Sequence, residues 1–287
     1  MHRIERPQWW QWFTILSLDA TSVSIVWQGW FARGLQVPLH GAERFVLGAS
    51  VWLAYTADRW IEALRFSPEQ LQTQRHRFAA RWRWTIFSAW LIVLAADLII
   101  AFTRLSEREI AFGFILLAAV AAYLFSHQLY HRHQPWRLPK ELCVALLITA
   151  GALLFPIANP TAVLPVLWLT VPHFIVLCFI NCLLISRWER EVDVAQGQQS
   201  LALEPQLKRA FRLVPLLPWL LAIESGVLGT LTPPEFVTDA HWVHRFFASI
   251  ALSFILLGIV DRAESHLGRQ LARALVDMAL FTPLFFW

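Results

Sequence analysis

The sequence predicts an all-α polytopic membrane protein, one domain over residues 1–287 with nine transmembrane helices. Three observations carry this. Hydrophobic residues make up 57% of the chain and charged residues only 15%, against about 25% charged in soluble domains. Apolar runs of about 20 residues, the length that crosses a bilayer core, recur along the whole chain. Many of the sixteen tryptophans lie near the ends of those runs, as an interfacial aromatic belt requires.

The nine segments follow in order. The first, 9–31, opens with Trp9, Trp10 and Trp12 and carries Asp19. The second, 44–64, closes on the polar stretch Asp58-Arg59-Trp60-Ile61-Glu62. Segments 84–103 and 109–130 are separated by a short charged turn, and Asp97 is the acid inside the first of them. Segment 140–158 begins at Lys140, and segment 162–186 runs up to Arg187. The last three are 210–230 with Glu224, 243–262 ending at Asp261, and 270–287 with Asp277. The first and last are the most polar-studded or short. With these boundaries, eighteen Lys and Arg residues fall on one side and five (Arg33, Arg44, Arg104, Arg108, Arg245) on the other. That bias places the N-terminus in the cytoplasm and the C-terminus outside, in a multi-pass protein of the cell (inner) membrane.

The net charge of +4 does not signal nucleic acid, because the basic residues sit in short loops beside helix ends. Cys143, Cys178 and Cys182 all lie inside apolar runs and read as buried thiols with no disulfide. His127, His131 and His133 at the end of the fourth segment read as a solvated cationic surface, and His173 as a satisfied buried polar residue.

Chemistry concentrates in two acidic pairs at the cytoplasmic ends of the second and sixth segments: Asp58 with Glu62, and Glu189 with Asp193. Each pair is spaced i, i+4, so both carboxylates project from one helix face. Facing one another, the pairs suit a hard cation such as Mg²⁺, which in turn suits a diphosphate. Arginines beside them, Arg59, Arg75, Arg77 and Arg190, supply planar donors for phosphate oxygens. A similar acid–Arg pair, Asp261-Arg262, ends the eighth segment.

This layout resembles the UbiA superfamily of intramembrane prenyltransferases. That family has nine transmembrane helices around a central cavity, an N-D-x-x-D-x-x-x-D motif after helix 2 and a D-x-x-x-D motif after helix 6. Asp58-x-x-x-Glu62 matches the last two acids of the first motif, and Glu189-x-x-x-Asp193 matches the second. Lys140 sits where the family often has a basic residue. The resemblance implies transfer of a prenyl group from an isoprenoid diphosphate, in contact with membrane lipid, to an acceptor, often an aromatic ring. It implies catalytic and Mg²⁺-binding roles for Asp58, Glu62, Glu189 and Asp193, and diphosphate binding by Arg59, Arg75, Arg77, Lys140 and Arg190. Trp52, Tyr55 and Asn181 are the expected walls of the substrate cavity, with Trp60 and Trp188 further aromatic candidates.

The chain departs from the family pattern. Ala54 and Tyr55 stand where the first motif opens with Asn and Asp, and Glu62 and Glu189 stand where it has Asp. Two further readings therefore stay open: a non-catalytic relative that binds an isoprenoid lipid, and a proton-coupled transporter using Asp19, Asp97, Glu224 and Asp277.

Overall fold

A computed structural model describes residues 7–65, 74–126, 139–159, 166–196, 200–231 and 240–287. Helices account for its regular structure: α1 (Gln11–Ile15), α2 (Leu18–Gly34), α3 (Gly41–Arg65), α4 (Gln74–Arg81), α5 (Arg83–Arg104), α6 (Glu107–Phe125), α7 (Lys140–Ala158), α8 (Leu167–Trp188), α9 (Arg190–Gln196), α10 (Leu217–Leu231), α11 (Ala240–Leu267), α12 (Arg269–Met278) and α13 (Pro283–Phe286). A run of short 3-10 turns joins α9 to α10. Helix lies within each of the nine apolar segments. Six spans are long and apolar enough to cross a membrane: α5, α6, α7, α8, the 210–231 stretch that ends in α10, and α11. The first, second and ninth segments fall short of that for different reasons. The first is split into α1 and α2. The second, α3, carries Glu43, Arg44, Asp58, Arg59, Glu62 and Arg65. The ninth is divided between α12, a 3-10 turn and α13.

Local chemistry explains several boundaries. Ser106 caps α6 by accepting from the Glu109 N–H while the Glu109 carboxylate returns a bond to the Ser106 N–H, a capping box written in Ser106-x-x-Glu109. α2 ends where Gln36 turns left-handed (φ 56°) and Val37 N–H reaches back to the Ala32 carbonyl at 2.8 Å. The gap between α1 and α2 is less obvious in the sequence, since Ser17 adopts φ 60° with no glycine or proline nearby. Side chains of α3 satisfy the carbonyls this break exposes. Arg59 donates to Thr14 O at 2.7 Å and Ile15 O at 3.1 Å, and the Trp52 indole donates to Leu16 O at 2.9 Å.

The core is an aromatic nest between α2, α8 and α11. Trp27, Phe31, Phe174 and Phe246 are fully buried, and the Trp27 and Phe174 rings lie 4.3 Å apart. α5 and α6 stand at the periphery. No α6 residue is buried, and Ile92, Ile99, Phe102, Phe114 and Ile115 face outward, as a lipid-contacting hairpin would. α2 and α11 approach closely at Gly34, where an added Cβ would lie 2.3 Å from the Trp242 indole. Gly34→Ala is therefore expected to lower stability by about 1–3 kcal/mol. Gly113 on α6 meets nothing within 4 Å, so Gly113→Ala is the matched control expected to leave stability nearly unchanged. Thermal unfolding of the two variants in the same detergent checks this; equal melting temperatures would contradict it.

Candidate functional site

α3, α7, α8, α9 and α12 enclose a cavity of about 220 Å³ whose wall also takes in Asp19 on α2 and Tyr123 on α6. Asp58 and Glu62 reach it from α3, one turn apart on a continuous helix. Glu189 and Asp193 reach it from the seam between α8 and α9. α8 stops at Trp188, but Asp193 N–H still bonds the Glu189 carbonyl at 3.0 Å, so the i, i+4 geometry survives the break. All four acids of the two motifs thus line one hollow. Arg59, Lys140, Tyr55 and Asn181 line it with them.

Five of the described candidates do not line it: Trp52, Arg77, Arg190, Trp60 and Trp188. The Trp52 indole is drawn away to the Leu16 carbonyl left open by the α1–α2 break. Arg190 begins α9 as an exposed residue, one helical step off the face that carries Glu189 and Asp193. Arg77 is exposed on α4, outside the wall. The side chain of Arg75 lies outside the described residues, as do His127, His131 and His133. The Trp60 ring stacks on Phe87 at 5.2 Å and the Trp188 indole donates to Asp261 at 3.1 Å, so the aromatic part of the wall consists of Tyr55 and Tyr123.

The cavity gains residues that no motif indicates. Arg273 from α12 pairs with Glu189 at 2.5 Å. Asp277, one turn later on α12, lines the same wall, where Asn181 Nδ2 donates to the Val276 carbonyl at 3.0 Å. Lys140, first residue of α7, donates to Asp193 Oδ1 at 3.0 Å. Its neighbour Glu141 is buried and accepts the Leu201 N–H at 3.2 Å. The i, i+4 spacing of Arg273 and Asp277 was the available sequence signal, hidden in a segment read as a spanning helix.

The wall is thus a mixed-charge surface with an excess of carboxylates. Its oxygens are of the type that suits Mg²⁺, which ordinarily takes one or two carboxylates and completes its shell with phosphate and water oxygens. Asp193 Oδ2 is buried without a hydrogen-bond partner, a place for such a ligand bond. Among the described residues no three His, Cys, Asp or Glu side chains gather into a metal-holding group, so ligand oxygens would have to complete the shell.

The remaining intramembrane acids separate. Asp97 on α5 accepts from Ser50 Oγ at 3.1 Å, and Glu224 on α10 lies 3.1 Å from His173. Only Asp19 and Asp277 of the four transporter candidates reach the cavity. Asp261 is buried away from it, accepting from Arg187 and Trp188 and tying α8 to α11, while Arg262 covers the Trp219 ring at 4.5 Å. The three cysteines are free thiols, and Cys182 is part of the cavity wall.

No family model, curated protein or solved structure matches this chain.

Proposed function

We propose that this membrane protein is a UbiA-like prenyltransferase, with nine membrane-crossing segments and a cavity opening toward the cytoplasm. The observation that carries the reading is the convergence of Asp58, Glu62, Glu189 and Asp193 on one hollow with Arg59, Lys140 and Arg273 beside them. A set of acids and bases around a small chamber suits a diphosphate headgroup together with its metal. Asp58 and Glu62 from one side and Glu189 and Asp193 from the other would hold Mg²⁺. When bound, the ion supplies Lewis-acid stabilisation of the charge that develops on a leaving diphosphate.

The chain's own residues do the rest. Arg59, Lys140 and Arg273 present donors to the diphosphate oxygens and favour the departing anion over the bound ester. Tyr55 and Tyr123 offer ring faces to an allylic cation. Val144, Ile185 and Val192 give the wall an apolar portion against which the first carbons of an isoprenoid chain pack. A cavity of about 220 Å³ suits the polar head, leaving the tail to lie among the apolar helices. An acceptor bound in the same space displaces water that would otherwise hydrolyse the cation.

Asp58→Asn and Asp193→Asn are each expected to reduce Mg²⁺-dependent diphosphate release from an isoprenoid diphosphate by at least about 100-fold, the scale of losing one preorganised charged group. Release at the wild-type rate by both variants would refute the metal assignment. One observation favours the second reading, a non-catalytic binder of isoprenoid lipid: Lys140 and Arg273 already neutralise Asp193 and Glu189. Under that reading wild-type protein binds the diphosphate lipid without turnover, and the double change Ala54→Asn, Tyr55→Asp introduces activity.

A further inference from the structure

His173 on α8 and Glu224 on α10 form a pair outside the cavity, with Nε2 and Oε1 3.1 Å apart. Both helices belong to spans apolar enough to cross a membrane. At about 1.5 Å of rise per residue, each residue sits about 10 Å inside the nearer end of its helix. The other imidazole nitrogen, Nδ1, lies 2.7 Å from the Leu169 carbonyl, which can only accept, so Nδ1 carries a hydrogen. Two bare acceptors would repel at 3.1 Å, so Nε2 and Oε1 hold a proton between them. The Glu224 side chain is 47% exposed, amid outward-facing Leu220, Ile223 and Val227. Among the described residues, its second oxygen, Oε2, has a marginal 3.5 Å contact from Ser225 and no closer one. An intramembrane carboxyl is costly to ionise, and one turned toward hydrocarbon is seldom kept for packing alone.

Among the described residues, the neighbouring elements show no ion pair to Glu224 besides His173. α11 contributes Phe247, edge-on to the imidazole at 5.0 Å, and His244, whose ring bonds the Gly229 carbonyl. Arg245 on α11 is exposed. The charged groups that α7 and α12 bring against α8, Lys140, Glu141, Arg273 and Asp277, are gathered at the cavity.

We propose that His173 and Glu224 form a proton-binding site open sideways to the bilayer, with the Glu224 carboxyl reactive toward membrane-dissolved carbodiimides. In that modification the carboxyl oxygen bonds to the central carbon of the carbodiimide. Its proton moves to one of the two nitrogens, the C=N double bond becomes single, and no group leaves. The reaction needs the protonated acid, so it reads both accessibility and protonation.

The test uses the full chain in phosphatidylcholine vesicles, treated with dicyclohexylcarbodiimide at a fixed pH and mapped by peptide mass spectrometry. Glu224 is expected to be labelled. Asp97, equally within the apolar region but buried, is expected to remain unlabelled. A water-soluble, charged carbodiimide should not label Glu224. Replacing His173 with Leu removes the nitrogen that shares a proton with Glu224, so the extent of Glu224 labelling at a fixed pH should change several-fold. Absence of Glu224 labelling in wild-type protein overturns the site. An extent of labelling unchanged in a folded His173→Leu variant overturns the shared proton. Both outcomes are independent of whether the cavity turns over a diphosphate.

Discussion

Trp27→Ala is expected to destabilise the protein by about 3–5 kcal/mol, the range for emptying a large aromatic site. Trp27 is fully buried, packed against Phe31, Phe174 and Phe246, with ring centroids 6.0, 4.3 and 5.9 Å away. Its indole N–H donates to the Leu280 carbonyl at 2.8 Å, tying α2 to the turn between α12 and α13. Within a membrane, helices gain little from leaving lipid for one another, so tight packing and such interhelical bonds carry the association. Trp27→Phe refills most of the space but leaves the carbonyl unpaired, and should cost about 1–3 kcal/mol. Chemical unfolding in micelles would rank the three proteins. An alanine variant within about 1 kcal/mol of wild type would remove the aromatic nest from its central place in the fold.

Lys140→Met should also destabilise the protein, from a polar cause. It leaves the Asp193 carboxylate, 8% exposed, without the ammonium 3.0 Å away; the ammonium is 19% exposed and the pair faces the cavity, so the cost is about 1–3 kcal/mol. Adding Asp193→Asn to Lys140→Met removes the stranded charge and should recover much of the loss. A double-mutant cycle on ligand-free protein reads the coupling directly. Additive effects would mean that Lys140 and Asp193 act independently in solution. Because the cycle measures unfolding and not turnover, its outcome does not depend on what the cavity binds.

The all-helical class and six of the apolar spans are legible in the chain, because hydropathy reports directly which stretches suit lipid. The acidic pairs are legible too, since i, i+4 spacing on a helix fixes a common face whatever the tertiary packing. What escaped is tertiary. Nothing in Ile15-Leu16-Ser17-Leu18 marks a break, because Ser17 is held left-handed by its surroundings and not by its own preference. Trp52 was expected in the cavity because it lies within two turns of the carboxylates, yet the break it caps redirects it. Arg273 was hidden because residues 270–287 read as one spanning helix, whereas α12 is a short helix packed against α8 and α11. Arg190 failed the other way: adjacency in sequence to Glu189 is not adjacency in space, since neighbouring residues on a helix point about 100° apart.

The interrupted first helix has one more implication. Arg59 belongs to the cavity wall and also grips the final carbonyls of α1. Both bonds come from Nη1, so one guanidinium joins the cavity wall to the break between α1 and α2. The position of a charged group in the chamber is thereby tied to the backbone at Thr14 and Ile15, and a substitution that reshapes that break would be felt in the wall.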